Sequence, residues 1–380
     1  MEQNEQYLFA ELPEALVEEM LSKSQAVGDE LYKVFDEIQR NKERIRDQIT
    51  KEKILRNDAE LGYPGIPTTC GSDGAYAVEK LLANDFAVCA AVAIEGLTPP
   101  SEKRHWPKPH HKPFVTSLEH NPNTGTLLRG LMMTMEIELA VKAPHDIVFL
   151  DGSLTTPLIF INQAVTKISE VGKNIITDFI KERFRDFLVS YKIVLESVRT
   201  DKIWVSMPKY TTRRELGKQF NWPSYYDDRA ILTNILKPSE FIAPVLLESP
   251  SQPWHIALPF KDDELQKLRD EVLDCVKQLH VMYYKPQNWT PALRIEMSSA
   301  IATNNSRIAV LLQGLKYQCG TPGIFEPYPL YMADRMVKHI STVIPALRQT
   351  ATTRMTELYQ GDDIGSIFFN MHGYRTDTGR

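Results

Sequence analysis

The chain has 380 residues, 43% of which are apolar, with a formal net charge of -5 and a pI near 6.0. This length supports a large hydrophobic core in one or two domains, and the weakly acidic balance excludes a protein that coats nucleic acid through bulk positive charge. The lack of an uninterrupted apolar stretch of about 18 residues predicts no membrane span, while four cysteines without C-x-x-C spacing indicate neither a zinc site nor a disulfide framework and favour a reducing cytoplasm.

An amino-terminal helical arm is predicted over residues 12 to 60, which contain no proline after Pro13. A seam with coiled-coil spacing runs through Val27, Leu31, Val34, Ile38, Asn41 and Ile45, in which Asn41 is the one polar residue. This seam fits either a long helix packed on its own domain or a helix paired with a second copy or a partner. We therefore expect an arm over 1–62, a main domain over 63–345, and a helix end with a polar, loosely held tail over 346–380.

Two Asp-Gly pairs form the main candidate site. The apolar run 147–150 predicts a buried strand that ends at Asp151, and Asp73 stands before Gly74 in a second segment suited to a strand and its turn. An ordinary turn is the simpler interpretation of each pair. Two carboxylates at one edge of an α/β sheet, however, usually require a cation.

The segment 86–94 is apolar on both faces and predicts a central strand. Residues 98–113 follow it and carry five prolines among basic and histidine residues. Because proline prevents regular ladder bonding, we expect an exposed loop there. Its histidines lack the spacing and the carboxylate partner of a metal site.

A helix is predicted over residues 124–142, and it carries two glutamates. Its apolar stripe contains Leu127, Leu128, Leu131, Met135 and Leu139, with Glu138 inside the stripe and Glu136 beyond its margin. A carboxylate on the core side of a helix is costly unless it is paired or binds a cation. Helical phase therefore favours Glu138 as a functional acid.

A basic strip extends from residue 202 to residue 218, where five Lys or Arg stand against one Glu with hydroxyls between them. This composition is typical of a chain that contacts phosphates, although a solvated charged loop is the alternative. The candidate phosphate contacts are Lys209, Arg213, Arg214 and Lys218.

Three further charged residues lie near the carboxyl end of the chain. Arg294 and Glu296 alternate onto one face of a predicted strand, as a structural ion pair or as support for metal ligands. Asp334 lies in a helix entered through Pro329, whose amino end favours the charged form of the acid.

In their order along the chain, these residues resemble the NurA nucleases. The resemblance runs from about residue 73 to residue 337 and is carried by Ser72-Asp73-Gly74, the glutamate-bearing helix, Leu150-Asp151-Gly152-Ser153-Leu154, Lys209 with the Thr and Arg residues after it, Asp228-Arg229, Leu293-Arg294-Ile295-Glu296, Tyr328-Pro329-Leu330 and Ala333-Asp334. It implies a ribonuclease H-like core with a mixed central sheet flanked by helices. It also implies a divalent-metal-dependent DNA nuclease, typically with manganese, that acts as a 5'-3' exonuclease, a single-strand endonuclease or both. The resemblance further implies a homodimer that works with a HerA-type hexameric ATPase.

The resemblance further implies roles for individual residues. Asp73 and Asp151 are implied as metal ligands, together with Asp334 and one helix glutamate, which the family pattern gives as Glu136 and helical phase as Glu138. Two ions of manganese or magnesium would suit phosphodiester cleavage by such a set. A docking module without catalysis and a phosphatase of small phosphoesters are the alternatives, and repair-end processing and antiphage defence are both compatible roles.

Overall fold

The computed structural model describes residues 12–224 and 226–379. The helices are α1 Glu14–Lys51, α2 Thr124–Lys142, α3 Thr156–Val171, α4 Ile175–Glu196, α5 Glu215–Gln219, α6 Asp228–Ile235, α7 Asp263–Val276, α8 Ser299–Ala302, α9 Asn305–Gln318, α10 Tyr328–Lys338, α11 Ile340–Leu358 and α12 Gly365–Asn370, with a 3-10 turn at Asp58–Leu61. Within these described residues, no helix combines the length and apolarity needed to cross a bilayer.

The strands are β1 Leu55–Asn57, β2 Thr69–Lys80, β3 Asn84–Glu95, β4 His110–Glu119, β5 Ile147–Asp151, β6 Ile203–Met207, β7 Glu240–Leu246, β8 His280–Lys285, β9 Leu293–Met297 and β10 Arg375–Gly379. These ten strands of the described chain form one sheet in the order β1-β7-β8-β9-β6-β5-β2-β3-β4, with β10 also paired to β2. β2, β5 and β6 are parallel, whereas the other pairs are antiparallel. The predicted α/β class with a mixed central sheet is confirmed, and the ribonuclease H-like assignment stays a prediction.

Hydrophobic cores lie on both faces of the sheet. Val148 and Leu150 belong to the core shared with α2, α3 and α4, whereas Ile147 and Phe149 belong to the core shared with α9 and Leu330 of α10. Because side chains alternate along a strand, each residue of 147–150 enters one core or the other. This explains why the run is apolar throughout. On one of these faces, α2 packs between the sheet and the outer helices α3 and α4.

β2 pairs with two different strands along one of its sides. Its register with β5 ends where Ser72 pairs with Leu150, and its register with β10 begins where Tyr76 pairs with Gly379. Residues 73–75 therefore lie between the part of β2 that pairs with β5 and the part that pairs with β10, and Asp73 is level with Asp151 at the carboxyl end of β5. Asp73 was expected at a turn, and that expectation is wrong because the antiparallel partner β3 continues β2 through this position to Lys80.

The helical arm is shorter than predicted. α1 ends at Lys51, and the chain then forms β1, which pairs with β7, so sheet pairing overrides the helical composition of residues 55–57. Ile38, Ile45 and Ile49 of α1 are buried against the body, whereas Val27 and Leu31 of the seam are 52% and 63% exposed. The expected arm begins in residues 1–11, which lie outside the described part of the chain.

The predicted proline-rich loop ends earlier than expected. Residues 110–113 belong to β4, which pairs with β3 at the edge of the sheet, where Pro113 is tolerated because an edge strand has one unpaired side. Before the strand, the backbone N–H groups of His105 and Trp106 donate to Glu95 at 3.0 and 2.9 Å. The loop is therefore held to the body, and the Trp106 ring stacks on His110.

The polar tail also differs from its prediction as loosely held. Residues 375–379 form β10, which pairs with β2 despite a strand sequence of Arg-Thr-Asp-Thr-Gly. Arg348 of α11 donates to Glu79 of β2 at 2.9 Å, so the preceding helix is attached to the same strand. Sheet pairing with β2 supplies the order that side-chain hydrophobicity does not predict.

Candidate metal centre

Three aspartates converge at the carboxyl end of β5. Asp73 of β2, Asp151 at the end of β5 and Asp334 of α10 each place a carboxylate oxygen within 4.8 Å of the others. Asp73 is 3% and Asp334 6% exposed. The structure thus brings together three of the five acids predicted from the sequence.

Strand alternation explains why these carboxylates share one face. Asp151 follows Ile147 and Phe149 at intervals of two residues, and both of those side chains face α9 and α10. Gly71 lies two residues before Asp73, and a Cβ atom at Gly71 would stand 2.5 Å from the backbone nitrogen of Leu330 in α10. Only glycine permits this approach of α10 to β2, which places Asp334 beside the two strand aspartates.

Glu136 and Glu138 occupy different surroundings. The Glu138 carboxylate contacts Lys112 of β4 and lies 3.5 Å from Arg183 of α4. Glu136 points towards β2, since its Oε2 would stand 3.5 Å from a Cβ atom placed at Gly74. The prediction that Glu136 lies beyond the buried stripe is wrong, because both glutamates are buried: α2 is covered on one side by β2 and on the other by α3 and α4, and does not have a single buried face.

Lys209 lies among the carboxylates, just beyond β6. Its Nζ is 3.4 Å from Asp151, 3.7 Å from Asp334 and 3.0 Å from Glu326. At these separations the ammonium group offsets part of the repulsion among the acids. Glu326 precedes α10 and was not among the residues predicted from the sequence. The available signal was its place in the Phe-Glu-Pro-Tyr-Pro segment, which directly precedes the helix that carries Asp334.

Glu296 positions the loop that follows Asp151. Its Oε2 accepts hydrogen bonds from Oγ of Ser153 at 2.6 Å and from the backbone N–H of Leu154 at 3.0 Å. Its other oxygen is 3.2 Å from Arg294, which is fully buried and also bonds Glu215 at 2.7 Å. Arg294 and Glu296 therefore form a buried ion pair, and Glu296 also contacts the loop after the candidate ligand Asp151. The geometry is compatible with both interpretations predicted for this pair, structural ion pair and support for a metal ligand.

Arg294 and Glu215 stabilise each other's charged forms. Burial acts to lower the pKa of Arg294, but its hydrogen bond to Glu215 and the neighbouring acids outweigh burial and raise that pKa. Burial acts to raise the pKa of Glu215, but the hydrogen bond to Arg294, the attraction of its charge and backbone hydrogen bonds together outweigh burial and lower that pKa. The Arg294–Glu215 pair therefore stays ionised in a buried position.

A cavity of about 560 Å³ opens beside Asp151. Its walls carry Lys209, Arg213 and several hydroxyl groups, from Ser153, Thr155, Thr156, Thr211 and Thr212. Arg213 donates to Oγ1 of Thr155 at 3.1 Å. Cations, hydroxyls and Asp151 of the carboxylate cluster thus line one open volume, which is the composition expected around a phosphate and its metal.

The remaining predicted phosphate contacts are placed differently. Arg214 donates to the backbone carbonyls of Trp222 and Pro223 at 2.7 and 2.9 Å. Lys218 contacts Glu248 and is exposed. Neither residue lines the cavity beside Asp151. The basic composition of residues 202–218 could not predict this difference, because α5 begins directly after Arg214 and changes the direction of the chain.

The donor set fits a hard divalent cation. Carboxylate oxygens are the ligands that manganese and magnesium prefer, and three of them lie close enough to share an ion. Asp73, Asp151 and Asp334 would hold it. Glu136 lies against Gly74, on the side of β2 that faces α2.

Comparisons with known proteins give matches at the level of structure. No protein-family model and no curated protein sequence matches the chain. The NurA nuclease from Sulfolobus solfataricus is similar over 90% of this chain and 98% of its own, with 13% identity and a TM-score of 0.59. NurA with manganese is similar over 90% of this chain and 100% of its own, at 13% identity and a TM-score of 0.52.

A structure of NurA bound to dAMP and manganese is also similar, over 85% of this chain and 97% of its own, with 14% identity and a TM-score of 0.51. Identities this low establish architecture and not activity. The chain therefore has the fold of the NurA nucleases, over nearly its whole length and theirs.

Proposed function

We propose that this protein is a divalent-metal-dependent DNA nuclease. The observation that carries the proposal is the convergence of Asp73, Asp151 and Asp334 within 4.8 Å beside a cavity lined by Lys209 and Arg213. The NurA fold, and the manganese found in similar NurA structures, support the assignment.

The chemistry required is hydrolysis of a phosphodiester bond. When bound, one or two divalent ions would supply Lewis acidity and an activated water at neutral pH. Asp73, Asp151 and Asp334 provide the anionic ligands, and we assign the helix glutamate to Glu136, because its carboxylate lies against Gly74, the residue that follows Asp73, whereas Glu138 lies beside Lys112 of β4 and Arg183 of α4.

Basic residues of the cavity would hold the substrate. Lys209 can move its ammonium from the carboxylates to a phosphate oxygen once a metal cation neutralises the acids. Arg213 presents its guanidinium beside the Thr155 hydroxyl and can form paired hydrogen bonds to a phosphate. Arg294 and Glu296 do not touch substrate in this scheme, and they act by positioning the loop after Asp151. Arg214 and Lys218 remain candidates for DNA contacts outside the cavity.

The proposed partners are DNA, a second copy of the chain and a HerA-type hexameric ATPase, in DNA end processing or antiphage defence in the cytoplasm. The exposed apolar residues of α1, including Val27 and Leu31, support a helix-mediated contact of this kind. A small-molecule phosphoesterase is the second candidate, favoured by the same acids, but the open cavity and its cationic wall suit a polymer better.

Incubation of the purified protein with labelled linear DNA tests the proposal. Manganese should support degradation, EDTA should prevent it, and Asp73→Ala and Asp151→Ala should each abolish it. Asp362→Ala, at an exposed position distant in sequence from every candidate ligand, serves as the control and should be fully active.

Two results would contradict the assignment. If either aspartate variant retains near-normal cleavage, the metal-ligand roles are wrong. If the wild-type protein leaves DNA intact with manganese but hydrolyses small phosphoesters, the phosphatase alternative replaces the nuclease.

A further inference from the structure

Tyr210 is a large aromatic side chain held out into solvent at the candidate site. It follows Lys209 directly and is 93% exposed. It lines the cavity beside Asp151 and also a second cavity of about 450 Å³ bounded by α1 residues Leu31 and Phe35. The tyrosine therefore stands between the metal centre and the adjoining groove.

The backbone that presents Tyr210 is anchored. The guanidinium of Arg229 donates to the carbonyl oxygen of Lys209, and it also donates to the carbonyl of Ala292 at 3.0 Å. Lys209 itself contacts Glu326 at 3.0 Å. The contacts of Lys209 thus fix the backbone from which the Tyr210 side chain projects, although the ring itself is almost wholly exposed to solvent.

An aromatic face beside a phosphate-binding cavity suits a nucleobase. Stacking of a base on an aromatic side chain tolerates any sequence, because every base has a π-face. The cavity beside Asp151 has hydroxyls and Arg213 for the sugar-phosphate backbone. Its volume of about 560 Å³ falls in the ~300–1,000 Å³ range of sites that hold one small ligand, so the cavity has room for one nucleotide.

Base pairing decides which substrate can use this face. In a duplex, the base faces are stacked inside the helix and only their edges are accessible in the grooves. An unpaired or frayed nucleotide offers a free face at little cost, whereas extracting a paired base costs a few kcal/mol. Stacking on Tyr210 is therefore available mainly to an unpaired strand.

We propose that Tyr210 is a specificity-determining residue, which stacks on an unpaired nucleobase adjacent to the scissile phosphate and so selects single-stranded or frayed DNA. This inference rests on the proposed nuclease function and adds to it the residue that contacts the unpaired base. Tyr210 touches the base and takes no part in the chemistry at phosphorus.

The test measures binding of a single-stranded oligonucleotide that contains 2-aminopurine, with calcium in place of manganese so that a divalent cation neutralises the acids. A gel confirms that the oligonucleotide stays intact. The wild-type protein should quench the fluorescence, because the base stacks on the ring. Tyr210→Ala should abolish the quenching and weaken binding about 5- to 150-fold, the factor that corresponds to the ~1–3 kcal/mol of base–aromatic stacking. Tyr210→Trp should preserve both properties.

Tyr63→Ala is the matched control, because Tyr63 is also highly exposed, at 72%, but precedes the start of β2 at the opposite end of the parallel strands. It should behave as the wild type. The binding of a blunt, fully paired duplex should change less than twofold in Tyr210→Ala, and thermal unfolding should confirm that every variant is folded.

The outcomes separate this inference from the nuclease assignment. Unchanged quenching and binding in Tyr210→Ala, or an equal loss for duplex and single strand, would overturn the role of Tyr210. A change in sedimentation of Tyr210→Ala without loss of quenching would instead assign the ring to a contact between protein copies, and would equally overturn it. Failure of the wild-type protein to cleave DNA with manganese would refute the nuclease and leave the binding result to be judged by itself.

Discussion

Replacing Asp151 by Asn should separate stability from activity. The substitution keeps the shape of the side chain and removes its charge. Two carboxylate repulsions at 4.8 Å or less disappear, each worth about 3.5 kcal/mol at an effective dielectric constant of about 20. One attraction, to Lys209 at 3.4 Å, is also lost, and by the same formula it is worth about 5 kcal/mol.

The balance is a stabilisation of the metal-free protein by about 2 kcal/mol, or a rise in Tm of about 4–8 °C, taking ~2–4 °C per kcal/mol for a large domain. The response to manganese should be opposite. At a free concentration of 100 times Kd, a metal that binds only the folded wild type adds about 2.7 kcal/mol. In Asp151→Asn this increment should largely vanish, because a ligand charge is missing.

Differential scanning fluorimetry in EDTA and in manganese, with DNA cleavage measured in parallel, checks these expectations. Asp362→Asn, an exposed Asp-to-Asn change, controls for the substitution itself and should change neither Tm nor cleavage. A lower Tm in EDTA for Asp151→Asn would refute the electrostatic reasoning. An undiminished manganese shift would refute the ligand role.

Three further outcomes are expected. Glu136→Gln should lower manganese affinity and cleavage at least about tenfold, whereas Glu138→Gln should keep cleavage and lose thermal stability, because its two basic neighbours lose their charged partner. Arg294→Met should reduce the free energy of unfolding, measured in urea, by about 3–5 kcal/mol, because buried carboxylates are left uncompensated. Burial lowers the pKa of His145 to about 4. The stability contributed by the neutral imidazole is therefore present above its unfolded pKa of about 6.5 and is lost as the pH falls towards 4. The urea midpoint of His145→Gln should accordingly decline less between pH 7 and pH 5 than that of the wild type.

Each of these has a contrary result. Full activity of Glu136→Gln would return the role to Glu138 or to neither glutamate. A loss below about 1 kcal/mol in Arg294→Met would mean that its carboxylate neighbours become protonated or hydrated without difficulty. Parallel acid sensitivity of the wild type and His145→Gln would show that other groups dominate acid unfolding.

Local pattern was sufficient for β5 and Asp151. Four consecutive apolar residues followed by Asp-Gly define a buried strand and its end without reference to any other segment. Lys209, just beyond β6, was identified for a similar reason, since the strand and its basic neighbours are contiguous. Its contacts with acids from β5 and α10 depend on tertiary structure and could not be read from composition.

Asp73 and the glutamates show where local reasoning fails. The Asp-Gly pair at 73–74 resembles a turn, but Gly74 is required by packing, because a Cβ atom there would stand 2.6 Å from Met132 of α2. The phase argument for α2 assumed one buried face, whereas the helix is enclosed between layers. The polar β10 and the early end of α1 likewise depend on pairing partners far along the chain.

The two glycines of β2 have a consequence for metal preference. The absence of a Cβ atom at Gly71 lets α10 approach the strand, and its absence at Gly74 lets α2 approach. The two glycines therefore determine the spacing between Asp73 and the acids on those helices. Magnesium tolerates less variation in ligand distance than larger cations do. Selectivity among ions can therefore change through methyl-sized substitutions in the packing layer, while every metal-binding side chain stays the same.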